Sequence, residues 1–98
     1  MTSARNDAPK AEWEQATEAV FHAVHGQLRS KEKRPVLQSS EAAVWLTWHG
    51  AGKPPLQFRI EEPEWWKPLT EAHASDLAAR LLAGLREELR LHRERAGA

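Results

Sequence analysis

Residues 43–63 have the sequence AVWLTWHGAGKPPLQFRIEEP, which contains two alternations of apolar and polar side chains. Successive side chains of a strand point to opposite faces, so each alternation predicts a strand with one apolar face. The glycines and prolines of residues 50–55 predict the loop that joins the two strands. Pro63 ends the second strand, because proline cannot donate to a sheet ladder. The apolar faces of this antiparallel hairpin are expected to carry Val44, Leu46 and Trp48, and Leu56, Phe58 and Ile60.

Two helical patterns flank the hairpin. From about Ala11 to Ser30, apolar residues recur at spacings of three and four, which predicts an amphipathic helix. A second pattern runs from Thr70, the predicted N-cap, to about Arg93, with a leucine at every fourth position. Gly84 lies inside this last helix, where glycine lowers helix stability by about 1 kcal/mol relative to alanine. It indicates either a close approach of the helix to a neighbour or no structural role. The expected buried positions are Trp13, Val20 and Val24 in the first helix and Leu77, Leu81 and Leu85 in the last.

The order of these elements predicts an α+β fold. Residues 36–38 predict a short additional strand, and residues 64–69 predict a short helical turn. We expect a long helix, a three-stranded antiparallel sheet, the short helical turn and a long C-terminal helix (αβββα), with the sheet held between the two long helices. Residues 11–95 form the single expected domain, with a disordered tail at 1–10 and a frayed end at 96–98.

The chain has 98 residues and no cysteine, so its predicted core is thin and has no disulfide or thiolate metal site to support it. Self-association is the expected supplement, and we predict a homodimer. Tryptophan is enriched at interfaces because it buries a large area and keeps one polar group. Trp13 and Trp48 fit core positions. The candidates for a dimer or partner interface are Trp45, Trp65 and Trp66, with a core role as the open alternative for each.

Charge and hydropathy limit the classes of partner. No apolar run reaches the roughly 18 residues of a membrane span, and the N-terminus lacks the apolar region of a signal peptide, so we expect a cytoplasmic protein. Lys+Arg and Asp+Glu number 14 each, and this balance gives no general attraction to nucleic acid or acidic membranes. Binding to DNA therefore requires segregated charge, with ordinary solvated faces as the alternative. The two candidate clusters are Arg29, Lys31, Lys33 and Arg34, and Arg86, Arg90 and Arg93.

The residues that suit catalysis or metal binding form no recognisable motif. His22 and His25 share a helix face at a spacing of three, but no third ligand is placed beside them by spacing. His73, Ser75 and Asp76 are neighbours at a predicted helix start, where Ser and Asp are usually caps rather than parts of a catalytic triad. We therefore predict no catalytic residue, no metal and no cofactor.

Three segments carry a resemblance to a known family: residues 44–50 (VWLTWHG), 58–63 (FRIEEP) and 77–82 (LAARLL). They resemble parts of the YbaB/EbfC family of bacterial nucleoid-associated proteins. The first segment resembles the family's alternating strand with its glycine turn, and the second resembles its strand that ends in an acidic residue and proline. The third segment resembles the opening of the family's last helix. The pattern extends from about Ala11 to Arg93. The chain departs from the family in an extra glutamate before Pro63 and in the Trp65-Trp66 pair.

The resemblance implies a homodimer that binds double-stranded DNA in the bacterial nucleoid with little sequence preference, and it implies no catalysis. Under this interpretation the two basic clusters flank the sheet and contact phosphates. The alternative is a non-enzymatic protein-interaction module, such as an accessory or inhibitor subunit, anchored by its exposed tryptophans. The neutral net charge favours the interaction module, whereas the paired basic clusters favour DNA binding.

Overall fold

The computed structural model describes residues 11–49 and 54–97. Its elements are α1 (Glu12–Gln27), β1 (Val36–Ser40), β2 (Ala43–Trp48), β3 (Leu56–Glu61) and α2 (Glu71–Gly97). This order confirms the predicted α+β class. The predicted tail at 1–10, the hairpin-loop residues 50–53 and the last residue, Ala98, lie outside the described residues. Among the described helices, neither is both long and apolar enough to cross a bilayer.

The C-terminal ends of both helices differ from the predicted ones. α1 ends at Gln27 rather than near Ser30, because Leu28 adopts an extended backbone conformation. α2 continues to Gly97, past the end that was expected near Arg93. This extension adds a further turn of helix at the end of the molecule where the basic clusters lie.

Thr70 caps α2 as predicted. Its Oγ1 accepts the backbone N–H of His73 at 3.1 Å. Ser75 and Asp76, the caps suggested by their position, lie inside the helix instead, because the helix begins at Glu71. Two consecutive hydrogen-bonded turns over residues 62–67 occupy the place of the predicted short helical turn.

The three strands form an antiparallel sheet in the order β1-β2-β3. Leu46 in β2 lies opposite Leu37 in β1 and Phe58 in β3, so these side chains share one face of the sheet. One residue earlier, Trp45 lies between Gln38 and Arg59 on the other face. The apolar side chains of the hairpin therefore lie on one face, as the alternation predicted.

Both helices pack side by side on that apolar face, so the expectation of a sheet held between them is wrong. The hydroxyl of Thr17 in α1 lies 2.8 Å from that of Ser39, which is opposite Val44 on the apolar face. Gly84 in α2 faces the ring of Phe58 on the same face. The physical reason is that each helix has one apolar stripe, and the sheet offers only one apolar face to bury both. In the described chain, no helix covers the opposite face.

The core between the helices and the sheet confirms most of the predicted buried positions. Leu81 and Leu85 are fully buried, and Leu77 is 1% exposed. Trp13, which was expected to be buried, packs against the core but stays partly exposed. A Cβ atom on Gly84 would lie 2.4 Å from the ring carbons of Phe58, so this glycine marks a close contact between α2 and the sheet.

Candidate nucleic-acid interface

A cleft lies between the α1–β1 connection (residues 28–35) and the C-terminal half of α2. Its volume is about 440 Å³, within the range of small-ligand sites. Trp48 at the end of β2 lines it, and its indole Nε1 donates to the carbonyl oxygen of Lys33 at 2.7 Å. This hydrogen bond attaches the basic connection to the sheet. The cleft therefore brings residues of both predicted basic clusters to one place.

The ion pair between Glu32 and Arg86 attaches the same connection to α2. Arg86 donates through Nε and Nη2 to the two carboxylate oxygens of Glu32 at 2.9 and 2.8 Å, and Nη2 also reaches the carbonyl oxygen of Gln27 at 3.1 Å. Glu32 further accepts the backbone N–H of Arg29 at 2.9 Å. The hydrogen bonds from Arg86 are the main reason that the pKa of the Glu32 carboxyl falls to about 2. Arg86 therefore has a structural role.

Arg90 is also engaged within the chain. Its guanidinium donates through Nε to Glu87 at 3.0 Å and forms a second ion pair with Glu94. The hydrogen bond from Arg90 lowers the pKa of the Glu87 carboxyl. Phosphate contact, the role predicted for both Arg86 and Arg90, would have to compete with these carboxylates for the two guanidinium groups.

The other cations of the two clusters gather at one end of the molecule, here called the basic end. Lys31, Lys33 and Arg93 line the cleft and have exposed side chains. Arg29 and Arg34 lie on the same connection and are also exposed. Within residues 11–49 and 54–97, no ion pair involves any of these five cations. Apart from the Coulombic interaction of Arg29 with Glu32, their charge is therefore available to an anionic ligand.

Trp65 and Trp66 lie at the opposite end of the sheet. Trp65 Nε1 donates to the carbonyl oxygen of Ser40 at 2.8 Å, and Trp66 Nε1 donates to that of Glu41 at 3.0 Å. Trp65 is 0% exposed, so it belongs to the core of its own chain and the interface role predicted for it is wrong. Trp66 is partly exposed, and the ammonium group of Lys67 lies 5.1 Å from the centroid of its ring.

Acidic side chains lie at the same end of the sheet as Trp65 and Trp66. The backbone N–H of Glu62 donates to the carbonyl oxygen of Ala42 at 2.9 Å, which brings the end of β3 to the β1–β2 turn. The contact between Thr17 and Ser39 brings the first half of α1 to the same place. This region is here called the acidic end, and it carries Glu12, Glu14, Glu18, Glu41, Glu61, Glu62, Glu64 and Glu71. Of these, Glu61 pairs with Arg59 and Glu64 pairs with Lys67.

Trp45 lies near the centre of the sheet face that the helices leave uncovered. Its indole Nε1 donates to Gln38 at 3.0 Å, and the guanidinium carbon of Arg59 lies 4.1 Å from the centroid of its ring. Val36 is 43% exposed on the same face. Of the three tryptophans predicted to form an interface, Trp45 is the one that lies on this uncovered face.

The residues considered for catalysis have separate partners. His73 Nε2 lies 2.7 Å from the carbonyl oxygen of Trp65. Ser75 Oγ accepts the side-chain amide N–H of Gln27 at 3.3 Å, and Asp76 pairs with the arginine four residues later at 3.9 Å. Each of the three side chains therefore has its own partner, and no hydrogen bond within the described residues links them as a triad.

The histidine pair of α1 flanks an exposed aromatic ring. The rings of His22 and His25 lie 5.7 and 4.2 Å from that of Phe21, measured between centroids. Across the part of the chain that the structure describes, no group of three His, Cys, Asp or Glu side chains is placed to hold a metal ion. His22 and His25 therefore have ring contacts and no third ligand there.

His49 and His92 line the cleft, although no sequence motif predicts a role for either of them. A local signal for His92 exists, because Leu89, His92 and Arg93 are spaced at three and four and so share one face of α2. His49 has no such signal. It reaches the cleft only because β2 ends beside the α1–β1 connection.

Comparison with known proteins assigns no family to the chain: no protein-family model, curated protein or solved structure matches it. The resemblance to the YbaB/EbfC family therefore stays a prediction. What the molecule does must be inferred from the charges and contacts of its own residues.

Proposed function

We propose that this chain is a homodimeric DNA-binding protein with little sequence preference, which holds phosphates at its basic end. One observation carries the proposal: Lys31, Lys33 and Arg93 converge on one cleft and have no ion pair within the described residues. Lysine and arginine side chains that contact phosphates release counterions and supply affinity that does not depend on sequence. This function would place the protein at the nucleoid, in the cytoplasm of a bacterial cell.

The separation of charge explains how a chain with a net charge of zero can bind an anion. β2 joins the two ends and has six residues, which corresponds to a length of roughly 20 Å. The Debye length at physiological salt is only about 8 Å. A phosphate in the cleft therefore interacts with the cations of the basic end, while the carboxylates of the acidic end are largely screened.

The uncovered sheet face supports the homodimeric part of the proposal. A domain of this size has a thin core, and a second copy of the chain would cover Trp45 and Val36. A dimer would also present two basic ends to one DNA molecule. The same face favours the second candidate function, a protein-interaction module in which another protein covers Trp45.

Charge reversal at the two ends of the molecule tests the DNA-binding proposal. The variant Lys31→Glu/Lys33→Glu changes two exposed cations of the cleft, whereas Lys67→Glu/Arg80→Glu changes two exposed cations outside it by the same total charge. Binding is measured by fluorescence anisotropy with a short labelled DNA duplex at about 50 mM salt, where phosphate contacts are strong. We expect the cleft variant to lose at least about tenfold in affinity and the control to stay within about threefold.

Equal losses in the two variants would mean that net charge, and not the cleft, governs binding. If the wild-type protein binds no duplex under these conditions, the DNA-binding proposal fails and the interaction module becomes the better hypothesis. Circular dichroism of both variants checks that each keeps the fold.

A further inference from the structure

The lining of the cleft has two chemically distinct parts. The apolar part includes Trp48, Leu56 and Leu89, and the cationic part includes Lys31, Lys33 and Arg93. The carboxylate of Glu32 also lines the cleft, where its charge is paired with that of Arg86. A free phosphate or a duplex backbone would engage only the cations and leave the apolar part against water. A fitting ligand has a flat apolar group joined to an anion.

We infer that the cleft accepts one unpaired nucleotide, so that the protein prefers single-stranded to double-stranded DNA; this inference rests on the proposed DNA binding. An unpaired base exposes the flat face that can pack in the apolar part, while its phosphate remains within reach of the cations. In a duplex the base is stacked and paired, so it cannot enter. The cleft volume of about 440 Å³ accommodates a ligand of nucleotide size.

Two planar rings at the cleft suit contact with a base. His49 is exposed and His92 is partly exposed, and both line the cleft. Histidine rings stack on unpaired bases in single-strand recognition. Leu89 lies one turn before His92 on the same face of α2, so the apolar surface and a stacking ring are adjacent.

The backbone that carries Lys31 and Lys33 is held beside the apolar part before any ligand binds. The indole of Trp48 holds the carbonyl oxygen of Lys33 at 2.7 Å, and the Glu32–Arg86 ion pair holds the same connection to α2. These contacts fix the backbone that carries Lys31 and Lys33. Such preorganisation reduces the ordering cost of binding a small flexible ligand.

The test compares a labelled oligothymidylate with a labelled duplex of equal length in anisotropy titrations at about 50 mM salt. We expect the wild-type protein to bind the single strand at least about tenfold more tightly, the size of one stacking contact. His92→Ala removes a ring without changing a lysine or arginine, so it should weaken single-strand binding several-fold more than it weakens duplex binding. His22→Ala, an exposed position on α1, is the matched control and should change neither affinity.

A second variant, Leu89→Gln, makes the apolar part polar, and its fold is checked by circular dichroism. It should also reduce single-strand binding selectively. Duplex binding equal to or tighter than single-strand binding would overturn the inference and leave the proposed function intact, whereas binding to neither would end both. If the wild type prefers the single strand but His92→Ala and Leu89→Gln bind both DNAs like wild type, the cleft is not the nucleotide site.

Discussion

Single side chains hold the backbone at both ends of the sheet. Trp48 donates its indole N–H to the carbonyl oxygen of Lys33 at the basic end, and Trp65 donates to that of Ser40 at the acidic end. An indole N–H that is buried without a partner costs about 1–3 kcal/mol. Throughout the described residues, every buried side-chain nitrogen or oxygen has a hydrogen-bond partner. Large aromatic side chains therefore both fill the thin core and position its connections.

Glu32→Gln should lower the free energy of unfolding by about 1–3 kcal/mol at pH 7, because it replaces an ionic hydrogen-bond acceptor for Arg86 with a neutral one. Folding lowers the pKa of Glu32 from its ordinary value of 4.5 to about 2, chiefly through its hydrogen bonds with Arg86. The ionised carboxylate therefore stabilises the fold fully above about pH 4.5, and this contribution is lost as the pH falls toward 2. Urea unfolding of the wild-type protein and of Glu32→Gln should show a smaller difference in the free energy of unfolding at pH 3 than at pH 7. An equal difference at the two pH values would argue against a stabilising role of the ionised Glu32.

Leu81→Ala should lower the free energy of unfolding by about 2–5 kcal/mol, because Leu81 is 0% exposed at the centre of the core and truncation leaves a cavity. The control is Leu69→Ala, because Leu69 is 44% exposed. This substitution should change the free energy of unfolding by less than about 1 kcal/mol. Equal effects of the two substitutions in denaturant unfolding would mean that the face of α2 is misassigned.

At the scale of elements, periodicity predicted the helices and the hairpin, and residue type predicted the Thr70 cap, because each depends on neighbours within a few residues. It did not predict that both helices share one face of the sheet, since an amphipathic stripe defines which side of a helix is buried but not its partner. The engagement of Arg90 was visible locally, because Glu87 and Glu94 lie three and four residues away. The partner of Arg86 was not, because Glu32 is 54 residues distant along the chain.

Two glycine-to-alanine substitutions should have opposite effects, although both lie in helices. Alanine favours helix by up to about 1 kcal/mol over glycine. At Gly26 an added Cβ meets nothing within 4 Å, so Gly26→Ala should raise the free energy of unfolding by up to about that amount. At Gly84 the Cβ would lie 2.4 Å from the Phe58 ring, and overpacking that costs about 1–3 kcal/mol should outweigh the gain.

Thermal and urea unfolding of both variants measures this difference. Stabilisation by Gly84→Ala would mean that Phe58 moves aside freely, and that the contact between α2 and β3 is looser than the packing indicates.

At the scale of the whole molecule, the uncovered sheet face leads to a prediction about assembly. We expect sedimentation at tens of micromolar to give a dimer, and Trp45→Lys to shift the protein to monomer because it places a charge in the centre of the proposed interface. Trp45 packs on the sheet surface and not in the core cluster, so the variant should keep the fold. A wild-type monomer, or a Trp45→Lys dimer as stable as wild type, would contradict this assignment of the face.

The arrangement of charge is the other property of the whole molecule, and it could not be predicted from composition. A count of charged residues gives zero, whereas the fold places unpaired cations at one end of β2 and carboxylates at the other. Lys31 and Lys33 belong to one of the two predicted basic clusters and Arg93 belongs to the other. Only the packing of the α1–β1 connection against α2 joins them in one cleft.

The salt dependence of DNA binding tests the role of this cleft most directly. For the wild-type protein and Lys31→Gln/Lys33→Gln, affinity for one duplex is measured by anisotropy across a range of salt concentrations. Each phosphate contact contributes about −0.9 to the slope of log K against log salt. We expect a steep slope for the wild-type protein, and a slope that is shallower by about 1 for each phosphate-contacting lysine that the variant lacks. Identical slopes for the two proteins, or no wild-type binding at about 50 mM salt, would contradict this expectation.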